Sequence, residues 1–226
     1  QPVSLARCEG TAASFSVTAS GTTLTYQWRE DGVALTNTGV YSGVDSPTLS
    51  ISDVSGLDGN VYDVIVTETS GTQNCPVTSA AATLTADPIA TITVQPASIE
   101  NCSGTSTSFS VTATATTPLY QWQVDNGGGY TNITNGGVYS GATSATLNIS
   151  NVTGLDGYDY RVIVTETDGT IDCPVTSTAA TLTVDPIPTI TAQPVSIARC
   201  EGTAGSFSVT ASGTTLTYQW REDGVA

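Results

Sequence analysis

Five cysteines are the residues of this sequence with the most evident chemistry: Cys8, Cys75, Cys102, Cys173 and Cys200. Thiols either bind a metal ion or pair with one another. A metal site is disfavoured, because the cysteines are widely spaced and the chain has no histidine. If the protein is exported, disulfide bonds are the default interpretation of these cysteines.

Catalysis finds no support in the rest of the sequence. There is no histidine for a catalytic triad, no lysine nucleophile, no glycine-rich phosphate loop and no cysteine with a base beside it. The sequence is also repeated along the chain, whereas an active site needs only one copy. We therefore expect a protein that is not an enzyme and that needs no cofactor.

The charge of the chain limits its partners. The formal net charge is -15, and all five basic residues are arginines. This charge argues against nucleic acids and anionic membranes as partners, because the sequence has no basic patch to release their counterions. No apolar run is long enough to insert into a bilayer. With 38% hydrophobic residues the sequence is typical of a globular protein, and its many threonine, serine and valine residues favour β-structure.

Long internal repeats organise the chain. Residues 193–226 repeat residues 1–34 with two differences, and a more diverged copy starts at Gln95. We divide the chain into a first repeat over residues 1–88, with its first strand incomplete, a second over 89–186, and the truncated start of a third over 187–226. The third part holds too little apolar sequence to fold alone, so we interpret the chain as a piece of a longer array.

Alternating apolar and polar residues predict short strands within each repeat. Phe15 and Val17 alternate with serines, and Tyr26 and Trp28 alternate with Thr25, Gln27 and Arg29. Asp31-Gly32 predicts a tight hairpin. The predicted fold is all-β, with antiparallel sandwiches stacked end to end. The expected core aromatic residues are Trp28, Tyr62, Trp122, Tyr160 and Trp220.

The motifs on these strands resemble those of immunoglobulin-like domains. Trp28, within YQW, matches the core tryptophan of the third strand. Asp58 and Tyr62 match the D-x-x-x-Y tyrosine corner, which Asp156 and Tyr160 repeat. Where vertebrate domains have their two core cysteines, this chain has valines, so no disulfide is expected across the core: Val17 and Val64, then Val111 and Val162.

The fuller pattern resembles bacterial immunoglobulin-like repeats. It combines QP-x-S-x-x-x-C-x-G with YQW, GVYSG, GLDG and AATLT. Such repeats occur in large secreted surface proteins of Bacteroidetes-type bacteria, including gliding and adhesion proteins exported by the type IX secretion system. The resemblance implies an extracellular location on the bacterial cell surface. It also implies a filament or stalk-like adhesin whose repeats act as spacers and bear load in adhesion or gliding motility.

Other functions of such an array stay open. The expected partners are neighbouring repeats of the same chain, and identical chains in a filament are a further candidate. An array of weak surface-glycan sites, gaining strength by multivalency, is one alternative function. Tyr41 and Tyr139, in the GVYSG motifs, are its candidate surface aromatic residues. Accessory repeats of a secreted hydrolase are another alternative.

Three carboxylates in the first repeat form a weaker candidate site. Glu9, Asp58 and Asp87 are expected to gather at one end of the sandwich, where carboxylate oxygens could bind Ca²⁺. A structural interpretation is favoured, because Asp58 belongs to the tyrosine corner and Asp87 ends a strand before a proline. The second repeat also has Ser103 where the first has Glu9. We therefore expect no metal, with calcium at these residues as the alternative.

The pairing of the cysteines depends on the predicted topology. Pairing within repeats would join Cys8 to Cys75 and Cys102 to Cys173. However, Cys8 is expected at one end of its sandwich, whereas Cys75 follows Gly71, the tip of a hairpin at the other end, and a disulfide needs Cα atoms within about 7 Å.

Stacked repeats offer a different set of partners. The end of the first repeat that carries Cys8 would adjoin the end of the second that carries Cys173, so we favour Cys8–Cys173 and keep the pairing within repeats as the alternative. Cys75, Cys102 and Cys200 would then pair with repeats beyond this sequence.

Overall fold

The computed structural model describes residues 1–70, 73–167 and 169–225, and every regular element in them is a β-strand. Gly71, the predicted hairpin tip, lies outside the described residues. None of the described residues forms a helix long and apolar enough to cross a membrane. The first unit contains nine strands: β1 (Leu5–Cys8), β2 (Ala13–Ser16), β3 (Leu24–Glu30), β4 (Val33–Ala34), β5 (Tyr41–Ser42), β6 (Thr48–Ile51), β7 (Val61–Ser70), β8 (Gln73–Thr78) and β9 (Ala82–Asp87).

The second unit repeats this series of strands and adds two strands that pair with each other, and the described residues of the third part form only the counterparts of that added pair. The second unit contains β10 (Thr91–Val94), β11 (Ile99–Cys102), β12 (Thr107–Ser110), β13 (Thr112–Thr114), β14 (Pro118–Asp125), β15 (Thr131–Asn132), β16 (Tyr139–Ser140), β17 (Thr146–Ile149), β18 (Tyr158–Glu166), β19 (Cys173–Thr176) and β20 (Ala180–Asp185). The added pair is β10 and β13, and its counterparts in the third part are β21 (Thr189–Ala192) and β22 (Thr210–Ser212).

Each of the first two units is a sandwich of two sheets with the same strand order. In the first unit one sheet runs β1-β9-β7-β3-β4, with β8 also paired to β7, and the other runs β2-β6-β5. The second unit gives β11-β20-β18-β14-β15, with β19 on β18, and β12-β17-β16. Only the first strand of each larger sheet is parallel to its neighbour. The predicted all-β fold of tandem immunoglobulin-like sandwiches is confirmed.

Alternation of side chains places the aromatic core between the sheets. In β2, Ala13 and Phe15 are buried while the two serines are exposed. The Phe15 ring stacks on Tyr62 with ring centroids 4.9 Å apart. Trp28 is fully buried, and its Nε1 donates a hydrogen bond to the carbonyl oxygen of Ser46 at 2.9 Å, so its one polar atom is satisfied inside the core.

The second unit builds the same core from its own residues. Phe109 stacks on Tyr160 with centroids 4.8 Å apart. Trp122 donates from Nε1 to the carbonyl oxygen of Ser144 at 2.9 Å. The four aromatic side chains expected in these two cores, those of Trp28, Tyr62, Trp122 and Tyr160, are all fully buried.

Two turns show why glycine stands where it does. The β3–β4 hairpin turns at Asp31 and Gly32, whose φ angles of 50° and 81° are the positive values that a two-residue hairpin turn requires. Gly43 has a φ of 72°, and a Cβ atom there would lie 2.4 Å from the carbonyl oxygen of Thr48. Glycine is therefore needed there both for its conformation and for space.

The prediction that Trp220 lies in a core is wrong for this chain. Its side chain is 49% exposed, and Phe207, the counterpart of Phe15, is exposed as well. The cause is the set of strands present. In the first unit the core that contains Trp28 also draws on buried residues of β6, β7 and β9, and the described residues 187–225 contain no counterpart of these strands. Trp220 lies outside the described strands, so neither its own strand nor an opposing sheet holds it in a core.

Candidate functional site at the joint between the first two units

A disulfide bond connects the first unit to the second. It joins Cys8, at the end of β1, to Cys173, at the start of β19, with sulfurs 2.00 Å and Cα atoms 5.6 Å apart. The two cysteines are 165 positions apart in sequence, and Cys173 is fully buried. This is the pairing between units that we favoured from the sequence.

The alternative pairing within units is absent, and the strand register explains why. Cys8 aligns with Asp87 at one end of the larger sheet, whereas Cys75 aligns with Glu68 near the far end of β7. At ~3.3 Å per residue the two cysteines are roughly 35 Å apart, far beyond the ~7 Å that a disulfide spans. Cys102 is likewise not bonded to Cys173, and Cys75, Cys102 and Cys200 are exposed free thiols.

Asp87 forms the second part of the joint. It is only 4% exposed, and its Oδ2 accepts a hydrogen bond from the backbone N–H of Ile171 in the second unit at 2.6 Å. Its own carbonyl oxygen accepts a bond from the N–H of Glu9 at 2.9 Å. A buried carboxylate is costly unless it is hydrogen-bonded. The bond to Ile171 therefore makes the burial of Asp87 depend on the second unit.

Gly169 lets the second unit approach Asp87 closely. A Cβ atom at position 169 would lie 2.4 Å from Cγ of Asp87 and 2.7 Å from its Cβ. Any larger residue would therefore collide with the aspartate. We call Cys8, Asp87 and the backbone of Glu9 the socket, and residues 169–173 the joint hairpin. The sequence pattern gave no sign of the contacts made by Asp87 and Gly169, because they join residues from different units.

The three candidate calcium ligands do not form a metal site in the structure. Asp58 accepts a hydrogen bond from the backbone N–H of Ala86 at 2.9 Å, and Asp87 accepts one from the backbone N–H of Ile171. Glu9 contributes its backbone N–H to the socket. Over residues 1–70, 73–167 and 169–225, no group of three or more metal-ligating side chains is close enough to hold an ion.

A cluster around Glu30 is a second polar site, and the sequence did not single it out. The hydroxyls of Tyr41 and Tyr62 and the side-chain amide of Asn60 all donate hydrogen bonds to Glu30 Oε1. Burial opposes ionisation of Glu30, but these three hydrogen bonds outweigh it and lower its pKa. Burial, with the hydrogen bond to Glu30, raises the pKa of Tyr41 to about 12. The one signal was a difference between repeats, since Val124 replaces Glu30 in the second unit.

Glu166 is a buried residue beside the joint hairpin. It aligns with Cys173 across the β18–β19 pair. Its carboxylate accepts hydrogen bonds from the backbone N–H groups of Thr116 and Thr117, at 2.6 and 2.8 Å, and from that of Thr167. Burial opposes ionisation, but these bonds outweigh it and lower the pKa of Glu166 to about 2. Glu166 therefore anchors one side of the hairpin in its ionised form.

Comparison with known proteins assigns no family to this chain. No protein-family model matches the sequence, and no curated protein matches it. Among solved structures, the I-band fragment of titin has a TM-score of 0.46 at 17% identity, with 86% of this chain and 67% of that chain covered.

Two further solved structures give lower scores. A tandem of titin domains scores 0.36 at 22% identity, covering 82% of this chain and 64% of that one. The N-terminal two-domain immunoglobulin module of the Drosophila receptor protein tyrosine phosphatase DLAR scores 0.37 at 23% identity, covering 81% and 95%. TM-scores below 0.5 carry no argument about the site, and the fold assignment depends on the strand order.

Proposed function

We propose that this chain is part of the load-bearing repeat region of a long extracellular filament or stalk-like adhesin. The observation that carries the proposal is the disulfide between Cys8 and Cys173, which joins one immunoglobulin-like unit covalently to the next. With the buried contact of Asp87, this joint has a covalent and a non-covalent connection in addition to the linker. The repeats act as spacers whose joints resist bending and extension.

The position of the bond defines the path that tension takes. When the chain is pulled at its two ends, force passes from Cys8 through sulfur to Cys173. The residues between them carry no tension while the bond is intact. The 165 positions that separate the two cysteines would extend to about 550 Å at roughly 3.4 Å per residue, and the intact bond prevents that extension. Only residues before Cys8 and after Cys173 can be pulled out.

The chemistry of the joint also supports an extracellular location. Disulfide bonds form and persist in oxidising environments outside the cytosol. The net charge of -15 favours solubility and mutual repulsion of long chains. Together with the sequence resemblance, these properties support a place on a bacterial cell surface, in adhesion or gliding, with export by the type IX secretion system.

The described residues offer no specific support for glycan binding or catalysis. The candidate sugar-binding residues Tyr41 and Tyr139 are half-buried, and their hydroxyls lie within hydrogen-bonding distance of Tyr62 and Tyr160, at 3.3 and 3.1 Å. These rings therefore help to hold the fold together. We propose a mechanical role without catalytic activity, for which the partners are neighbouring repeats and other copies of the chain in a filament.

Single-molecule force spectroscopy tests the proposal directly. The chain is held by enzymatically attached handles at its two ends and stretched before and after reduction. We expect the oxidised chain to release only the residues outside the Cys8–Cys173 loop. Reduction should add about 550 Å of contour length in two unfolding events.

Two variants calibrate this measurement. Cys8→Ser should behave like the reduced chain without any reductant, and Cys75→Ser should behave like the unmodified chain. Release of the full contour length from the oxidised, unmodified chain would show that the bond bears no load and would overturn the proposal.

A further inference from the structure

The chain contains a second copy of the socket. In β11 and β20, Cys102 aligns with Asp185 in the same parallel register in which Cys8 aligns with Asp87. The backbone N–H of Ser103 donates to the carbonyl oxygen of Asp185 at 2.8 Å, just as Glu9 donates to Asp87. The backbone that holds the joint hairpin in the first unit is therefore reproduced in the second.

This second copy is open to solvent. Cys102 is an exposed free thiol, and Asp185 is exposed, whereas Asp87 is buried by the joint hairpin. The same pair of residue types, in the same register, is covered in one unit and uncovered in the next. Because Cys8 and Asp87 bind the joint hairpin, we expect Cys102 and Asp185 to bind a hairpin of the same kind.

The hairpin that fills a socket has a sequence shared by both complete units. The joint hairpin reads Gly-Thr-Ile-Asp-Cys over residues 169–173, and the first unit has Gly-Thr-Gln-Asn-Cys at residues 71–75. The common pattern is Gly-Thr-x-x-Cys. The glycine is explained by the 2.4 Å approach to Asp87 and the cysteine by the disulfide, while the backbone N–H of the third residue, Ile171, meets the carboxylate.

We propose that Cys102 and Asp185 form an empty socket that binds the Gly-Thr-x-x-Cys hairpin of a further repeat of this kind. This inference rests on the proposed function, and it adds a recognition step. The carboxylate of Asp185 accepts a hydrogen bond from the backbone N–H of the third hairpin residue. Its close approach leaves room only for glycine at the first position. These two contacts place the incoming cysteine against Cys102. A disulfide bond between the two cysteines then fixes the hairpin that the carboxylate has bound.

Disulfide exchange with a hairpin peptide tests this recognition on the intact chain. The probe is a head-to-tail cyclised peptide of residues 163–176, because Ile163 and Thr176 are paired across the strands. The sulfur at its position 173 is activated as a 2-pyridyl disulfide. The Cys102 thiolate attacks that sulfur, a new sulfur–sulfur bond forms, and pyridine-2-thiolate leaves, so no further oxidant is needed.

The chain supplies its own control for the reaction. Cys200 is an exposed free thiol with the same preceding and following sequence as Cys8, but no counterpart of β9 supplies an aspartate beside it. Capture at each thiol is quantified by peptide mapping and divided by its rate with a small disulfide reagent. This ratio removes differences in intrinsic thiol reactivity.

We expect capture at Cys102 to be about tenfold faster than at Cys200 after this correction, the ratio that 1.4 kcal/mol represents. A probe carrying Gly169→Ala, or the protein variant Asp185→Ala, should bring the two rates together. Equal corrected rates at Cys102 and Cys200 with the unmodified probe would overturn the socket. The force measurement at Cys8–Cys173 would be unaffected by that result, so the two proposals fail separately.

Discussion

The hairpins of the two complete units have nearly the same sequence but different surroundings. Cys75, in the first unit, is exposed, whereas Cys173, in the second, is fully buried. The second hairpin lies against the first unit, whereas no neighbouring unit lies against the described residues of the first hairpin. Burial of this hairpin is therefore a property of the joint rather than of the unit.

The outer surfaces of the units differ while their cores agree. In the first unit Arg29 forms a two-pronged ion pair with Asp63, both bonds being 2.7 Å long. The aligned pair in the second unit is Gln123 and Arg161, and the Arg161 guanidinium lies 3.7 Å from the centre of the Tyr130 ring. Such exchanges show that the exposed face of the larger sheet tolerates different pairs, provided that each long side chain has a partner.

The largest effect should come from opening a core. Trp122→Ala removes a fully buried side chain and should destabilise the second unit by about 3–5 kcal/mol. Trp220→Ala is the matched control, because the same residue type is half-exposed there, and it should change stability by less than about 0.5 kcal/mol. Urea unfolding followed by fluorescence measures both variants. Similar losses in the two variants would show that the third part has a packed core after all.

Removing the disulfide should have the next largest effect. The double variant Cys8→Ser with Cys173→Ser should lose about 2–4 kcal/mol, because the unfolded chain is no longer closed into a long loop. The two units should then unfold in separate calorimetric transitions. Cys75→Ser and Cys102→Ser, which replace exposed thiols, provide the control and should leave the profile unchanged. A single unaltered transition in the double variant would mean that the bond does not couple the units.

The aspartate of the joint can be compared with its exposed counterpart. Asp87→Ala leaves the N–H of Ile171 without its acceptor and should cost about 1–3 kcal/mol. Asp185→Ala removes an exposed carboxylate and should be close to neutral in this chain. Urea unfolding of both variants under reducing conditions isolates the effect of the carboxylate from that of sulfur. Equal stabilities would show that the Asp87 contact contributes nothing once the disulfide is open.

The sequence predicts strands and cores well because they depend on local alternation. The phase of Phe15, Trp28 and Tyr62 places them correctly, and the Asp31-Gly32 turn follows from the conformations that these residue types adopt. Phase states which side of a strand faces inward, but not whether a second sheet is present. At Trp220 neither the predicted strand nor a second sheet is present, so the prediction failed there.

The joint was harder to predict because it depends on two units at once. The pairing of Cys8 with Cys173 was favoured only because a strand order could be assumed and the distance across one sandwich estimated. Nothing in the sequence near Asp87 indicates that its carboxylate meets the backbone of Ile171 from another unit. A hydrogen bond to a backbone N–H does not require a particular side chain at the donor residue, so the sequence at that residue does not indicate the bond.

Acid should weaken the second unit through Glu166. Its folded-state pKa of about 2 lies below the usual value of 4.5, so ionised Glu166 stabilises the fold above about pH 4.5. That contribution is lost as the pH falls from 4.5 towards about 2. Glu166→Gln should flatten the pH dependence of stability in this range, as followed by urea unfolding at a series of pH values. An unchanged slope would mean that other carboxylates determine the acid sensitivity.

The smallest effect should come from making the Glu30 cluster resemble the second unit. Glu30→Val copies Val124, beside which the hydroxyls of Tyr139 and Tyr160 lie 3.1 Å apart without any carboxylate.

After this change the hydroxyls of Tyr41 and Tyr62, which are 3.3 Å apart, can still bond to each other. Stability at neutral pH should therefore change by less than about 1 kcal/mol. The difference from the unmodified chain should vanish in acid, because the lowered pKa of Glu30 means that its contribution is lost as it becomes protonated. The pKa of Tyr41 should fall below about 12, since burial alone would then raise it. Tyrosinate absorbance and urea unfolding measure both quantities, and a loss above about 2 kcal/mol would show that the units hold their tyrosine pairs by different means.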